Sequence, residues 1–117
     1  MSEHLLVDLR ILSWNIMVYK RIYKTLTEKL EPVKTFKGNH DIGFMMYCSF
    51  GNAYRLTQNE KYKDILIQSA YSLATRFNPQ VGTIKSWDSW RSWENKHVFK
   101  YPVIIDNMMN LTLHSET

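Results

Sequence analysis

Residues 41–77 carry two helical patterns of opposite kind set almost end to end, and no other feature narrows the fold so far. From about Asp41 to Leu56, Ile42, Met45, Met46, Phe50, Ala53 and Tyr54 fall on one face, while Phe44, Tyr47 and Cys48 occupy the other. A helix that is apolar nearly all round is one buried on all sides. From about Glu60 to Phe77, Tyr62, Ile65, Leu66, Ala70, Leu73, Ala74 and Phe77 make a single stripe. Lys61, Lys63, Asp64, Gln68 and Arg76 lie off that stripe, which predicts a wet outer face. The link Thr57 to Asn59 is short enough to make the pair an antiparallel hairpin. An all-round apolar helix followed by a one-sided helix predicts two layers, one inside the other.

The flanking segments extend the same plan. The spacing of Ile11, Leu12, Ile16, Tyr19, Ile22, Tyr23, Leu26 and Leu30 predicts a first helix over roughly Leu5 to Leu30. It should stop near Glu31, because the residue before Pro32 disfavours the α region. A fourth helix is expected to begin near Pro102 to Ile105, with Pro102 in the first turn. Val103, Ile104, Ile105, Met108, Met109, Leu111 and Leu113 leave it little polar surface and make it a second inner helix. Between them, residues 78–101 read as a long loop holding Trp87, Trp90 and Trp93. Loops longer than ~12–15 residues in a compact domain are functional or disordered, and the tryptophans argue against disorder. They either pack the loop down or offer flat faces to a ligand. The fold class is all-α, one domain of about four helices in inner and outer antiparallel hairpins.

Composition excludes several classes. A 44% hydrophobic share is too high for a disordered chain. The net charge of +4 is scattered over Lys20, Arg21, Lys24, Lys29, Lys61, Lys63 and others, so no nucleic-acid partner is expected. A mildly basic surface suits an anionic substrate. Cys48 is alone, which leaves no internal disulfide, and it reads as a small core residue. His4, His97 and His114 lack metal-ligand spacing, so no metal is expected. There is no Gly-rich phosphate loop and no Gly-x-Ser-x-Gly turn, so no cofactor is expected. No apolar run approaches the ~18–20 residues needed to cross a bilayer. With Met1 as the start, the segment to Arg10 lacks a signal-peptide profile, and the expected location is the cytoplasm.

The topology then carries a chemical result. With one antiparallel helix between them, the second and fourth helices run parallel. Asp41 opens the second and Asp106 falls in the first turn of the fourth, so both carboxylates lie at the same end of the bundle. Each is set among apolar neighbours: Ile42, Gly43 and Phe44 follow Asp41, and Val103 to Ile105 precede Asp106. Two carboxyl groups facing a common site can divide acid and base roles when their environments differ. Either aspartate taken alone reads equally as a helix cap or dipole partner, worth about 0.5–2 kcal/mol.

His40-Asp41-Ile42-Gly43-Phe44 resembles the His-Asp-(Leu/Ile/Val)-Gly-Phe motif of unsaturated glucuronyl hydrolases, glycoside hydrolase family 88. Ser49-Phe50-Gly51-Asn52-Ala53-Tyr54-Arg55-Leu56-Thr57, Leu73-Ala74-Thr75-Arg76-Phe77, Ser86-Trp87-Asp88 and Pro102 to Leu111 continue the resemblance in order, over about residues 31–113. The resemblance implies an (α/α)6 toroid of inner and outer helices. It implies removal of 4,5-unsaturated glucuronic acid from lyase-generated oligosaccharides, glycosaminoglycan fragments included, by hydration of the vinyl ether. An acid protonates C4, water adds at C5, and the hemiketal opens to release the next sugar. By motif, Asp106 would be the general acid/base and Asp41 the second essential carboxylate. His40 would contact the sugar, and Trp87 would help wall the site.

Family members are several times longer and close a full ring. Their Trp-Thr-x-Gly-Phe motif has no counterpart before the first helix here, and Thr112-Leu113-His114-Ser115 departs from their Glu-Leu-Leu. The chain therefore reads as a fragment of such a catalytic domain. It is expected to be inactive or very weak alone and to self-associate through exposed inner-helix surface. Two other readings remain: a non-catalytic sugar-binding or interaction module, and a small all-α structural domain.

Overall fold

A computed structural model describes residues 3–115; residues 1–2 and 116–117 lie outside it, and with them the chain start on which the reading of location rests. The helices are α1 (Glu3–Glu28), α2 (Ile42–Met46), α3 (Asn52–Thr57), α4 (Glu60–Ala74) and α5 (Asn107–Ser115). A 3-10 turn over Glu31–Thr35 follows α1, with Pro32 in its first turn. That proline ends the first helix as expected, a little earlier than Leu30. A π turn over Tyr47–Gly51 joins α2 to α3 without leaving helical backbone, so residues 42–57 form one run.

The wide turn has a reason in the sequence. Ile42, Met46 and Phe50 recur every fourth residue, and in a 3.6-residue helix each such step overshoots by about 40°. Widening one turn cancels that drift and keeps all three, with Ala53, in the core. The carbonyls it loosens are taken by side chains: Ser49 Oγ donates to Met45 O at 2.7 Å and Asn52 Nδ2 to Cys48 O at 2.8 Å. Gln58, at φ 55°, and Asn59 then turn the chain, and Asn59 Oδ1 caps α4 by accepting from Lys61 N at 3.0 Å. Tyr62, Ile65, Leu66, Ala70 and Leu73 of α4 close on the run from 42 to 57, with Ile84 and Leu113 completing the core. Each large apolar side chain so buried contributes about 1.5–3 kcal/mol.

Several expectations are corrected. The run 42–57 is buried on one face only: Phe44, Met45 and Cys48 are exposed, because no described element covers that side. The stripe of α1 is likewise open from Ile11 to Leu26, and the long helix gives the chain an extent of 71 Å. Arg76, expected on the wet face, is buried. The segment 78–101 is not one loop, since two antiparallel hairpins occupy it. In one, β1 (Phe77–Asn78) pairs with β2 (Thr83–Ile84); in the other, β3 (Trp90–Arg91) pairs with β4 (Val98–Phe99). The last helix begins at Asn107 rather than near Pro102, because residues 102–104 stay extended and bond to Ser86 instead. No described helix is long and apolar enough to cross a membrane.

Candidate active site

Three segments far apart in sequence are tied at Ser86. Its backbone N donates to Pro102 O at 2.8 Å, and its carbonyl accepts from His40 N at 3.1 Å. Its buried hydroxyl donates to Asn107 Oδ1 at 2.8 Å and accepts from Ile104 N at 3.0 Å. Asn107 Nδ2 returns a bond to Ile84 O at 2.6 Å. One small side chain thus satisfies the extended stretch before α5 and the first residue of α5 together.

The turn ahead of α2 is set locally. Asn39 Oδ1 accepts from Asp41 N at 3.0 Å, an Asx turn, and Met45 N bonds Asp41 O at 2.9 Å to open the helix. Asn39 also pairs with Trp87 as an isolated bridge. Deeper in, α2 and α5 touch backbone to backbone at Gly43, where a Cβ would lie 2.6 Å from Asn110 O and 2.9 Å from Asn110 Cα. Asn110 Oδ1 accepts from Phe44 N at 2.7 Å. Residue 41 therefore meets 106 while 43 meets 110, so the two helices run parallel, as the topology predicted.

The outcome is a compact group. His40 Nε2 lies 2.8 Å from Asp106 Oδ1 and 3.5 Å from Asp41 Oδ1. His40 Nδ1 lies 3.0 Å from Ser86 O. The His40 ring is 1% exposed, whereas the carboxylates are 47% (Asp41) and 48% (Asp106) exposed at their side chains. The rings of Trp87 and His40 meet in a T-shaped arrangement, centroids 5.6 Å apart at 85°. All four residues singled out from sequence are thus brought together. Asp41 and Asp106 face the open side and Trp87 stands at the flank. His40, for which sugar contact was expected, lies beneath the carboxylates with both nitrogens engaged inside the chain.

One atom each from His40, Asp41 and Asp106 lie within 4.8 Å of one another, a spacing a cation could span. The 2.8 Å separation of Nε2 and Oδ1, however, is that of a direct hydrogen bond. Two ligands on a tetrahedral zinc at about 2.0–2.2 Å each would stand roughly 3.4 Å apart.

Arg76 braces the site from behind. Its Nη1 donates to Lys37 O, its Nε donates to Lys85 O at 2.8 Å, and Nη1 lies 3.3 Å from Asp88 Oδ1. This clamps the segment leading into His40 to the one leading into Ser86. Lys85 first, then Arg76, holds the Asp88 carboxyl below the ordinary carboxylate range. Sequence reasoning missed Ser86, Asn107, Asn110 and Arg76 as organisers of the site. Asn107 and Asn110 did carry a signal, since they are amides in a helix otherwise nearly all apolar, and both are buried.

No protein-family model matches the chain. It is 45% identical over 97 residues to the unsaturated glucuronyl hydrolase of Formosa agariphila, an alignment that covers 82% of this chain and 23% of that protein. Among solved structures, an unsaturated glucuronyl hydrolase specific for heparin superposes with a TM-score of 0.66 at 46% identity, over 77% of this chain and 22% of that one. The helices accordingly lie as in the helical toroid of that hydrolase, in agreement with the layered plan read from the periodicity. Over most of its own length, and over less than a quarter of theirs, the chain is a relative of the unsaturated glucuronyl hydrolases.

Proposed function

We propose that this segment supplies the paired carboxylates of an enzyme that removes 4,5-unsaturated glucuronic acid from the non-reducing end of acidic oligosaccharides. The observation that carries the reading is the meeting of Asp41 and Asp106 over one buried histidine, each carboxyl half open to solvent. In this reading Asp106 gives its proton to C4 of the sugar and then takes one from the water that adds at C5. Asp41 holds the substrate and sets the charge beside its partner. General acid–base catalysis of this kind contributes about 10²–10⁴ in rate. Since the chain spans less than a quarter of its relatives, it is expected to turn substrate over weakly or not at all by itself.

The test uses the loss of ultraviolet absorbance as the double bond is hydrated. In the Formosa agariphila relative, the Asn substitution at the position aligned with Asp106 should cut turnover at least ~100-fold with the fold retained. Turnover above a tenth of the parent's would end the assignment. A second reading, a sugar-binding module without activity, draws on the exposed tryptophans: Trp93 is 93% exposed and Trp90 41%. Quenching of tryptophan fluorescence by an unsaturated glucuronyl disaccharide, with no turnover after Asp106 is supplied in a complete ring, would favour it.

A further inference from the structure

The hydrogen-bond geometry around His40 constrains where its protons sit. Nδ1 is 3.0 Å from Ser86 O, a carbonyl oxygen that can only accept, so Nδ1 carries a hydrogen. Nε2 is 2.8 Å from Asp106 Oδ1 and 3.5 Å from Asp41 Oδ1, and two acceptors cannot approach that closely without a proton between them. The groups that face the ring are these two carboxyls, the Ser86 carbonyl and the Trp87 ring. The ring is 1% exposed. A sugar placed on the open side meets the carboxyls and not the imidazole.

We propose that His40 is a positioning residue for Asp106, a buried ring held by hydrogen bonds between Ser86 O and Asp106 Oδ1, rather than a sugar ligand. This rests on the catalytic reading of Asp106 given above. The ring draws Oδ1 inward, and Oδ2 makes no hydrogen bond with the described residues, so Oδ2 is the oxygen presented outward. When Oδ2 gives up its proton, its O–H bond breaks and the C4–H bond forms. The electron pair of the O–H bond stays on the carboxylate, whose Oδ1 remains bonded to the ring. The bond from Nδ1 to Ser86 O fixes how the ring is turned, and with it where Nε2 holds Oδ1.

Ring-nitrogen NMR on the ¹⁵N-labelled 117-residue chain at neutral pH tests this directly. His40, assigned by loss of its signals in His40→Asn, should show hydrogen on Nδ1 and a slowly exchanging proton shared between Nε2 and Asp106 Oδ1. Asp106→Asn should change the Nε2 signal and its exchange, while Asp41→Asn should leave both in place. The proposal is overturned if Nε2 in the parent chain makes no hydrogen bond, or if Asp41→Asn alters its signal as fully as Asp106→Asn. The parent spectrum alone decides the first point should a variant fail to fold. Titration with an unsaturated glucuronyl disaccharide supplies the other arm. His40→Asn should change the dissociation constant by less than about threefold, and a loss beyond about tenfold would make His40 a sugar ligand. If the disaccharide does not bind, the enzymatic reading loses support, and the ring-nitrogen result still stands or falls alone.

Discussion

Replacing Gly43 with alanine puts the site's construction under direct strain. The new Cβ would fall 2.6 Å from Asn110 O, 2.8 Å from Asn110 Cβ and 2.9 Å from Asn110 Cα. Two of those atoms are backbone, so no rotamer change relieves the overlap, and α2 must move from α5. Overpacking of this kind costs about 1–3 kcal/mol. The shift also weakens the 2.7 Å bond from Phe44 N to Asn110 Oδ1, worth about 0.5–1.5 kcal/mol. Against this, alanine in a helix gains about 0.5–1 kcal/mol over glycine. The expected net loss is about 1–3 kcal/mol. Urea unfolding followed by circular dichroism should show the midpoint falling by about 1 M at an unchanged slope. Gly51→Ala is the control, because its Cβ meets only the Tyr47 ring, 3.2 Å away, which can turn aside; stability should hold or rise slightly. If Gly43→Ala proves as stable as Gly51→Ala, the close crossing of α2 and α5 is wrong.

Other perturbations test separate parts. Ser86→Ala leaves Ile104 N and Asn107 Oδ1 without their buried partner, and should cost about 2–4 kcal/mol in the same unfolding assay. Gly82→Ala meets open space but sits at φ +78°, so about 1–2 kcal/mol should be lost with no change at the site. Burial first, then the bond to Glu28, pushes the Tyr62 hydroxyl above its ordinary value. The folded chain thus holds that proton more tightly than the unfolded one, and the stability it contributes is lost as pH rises through the raised value; Tyr62→Phe should flatten that alkaline fall. For Asp88, lowered by Lys85 and Arg76, the sign is opposite: the contribution is present above the usual carboxylate range and fades as pH falls, and Asp88→Asn should remove that part of the acid transition.

What could be read in advance follows periodicity. The α3–α4 hairpin comes from apolar spacing and a short link, which act locally, and counting helix directions from it gives the parallel course of α2 and α5 that brings Asp41 and Asp106 to one end. The errors arise where a distant partner outweighs local preference. Pro102 to Ile104 would start a helix by propensity, yet their polar groups bond Ser86, sixteen and eighteen positions back for 102 and 104. Arg76 looks like a surface cation until the carbonyls of Lys37 and Lys85 are seen to need a donor. Cys48 and Phe44 carry an inner-helix pattern that the described residues leave uncovered. The π turn hides in plain view, as a four-residue spacing that an ordinary helix cannot keep aligned.

The knot at Ser86 also sets an order of events. Hairpin α3–α4 closes over neighbouring residues and can form as soon as both of its helices exist. The bonds from His40 to Ser86 and to Asp106 span 46 and 66 positions, so the loop they enclose must be collapsed first. The acid pair is therefore assembled late on the folding route, and substitutions there should mainly speed unfolding while leaving the refolding rate almost untouched.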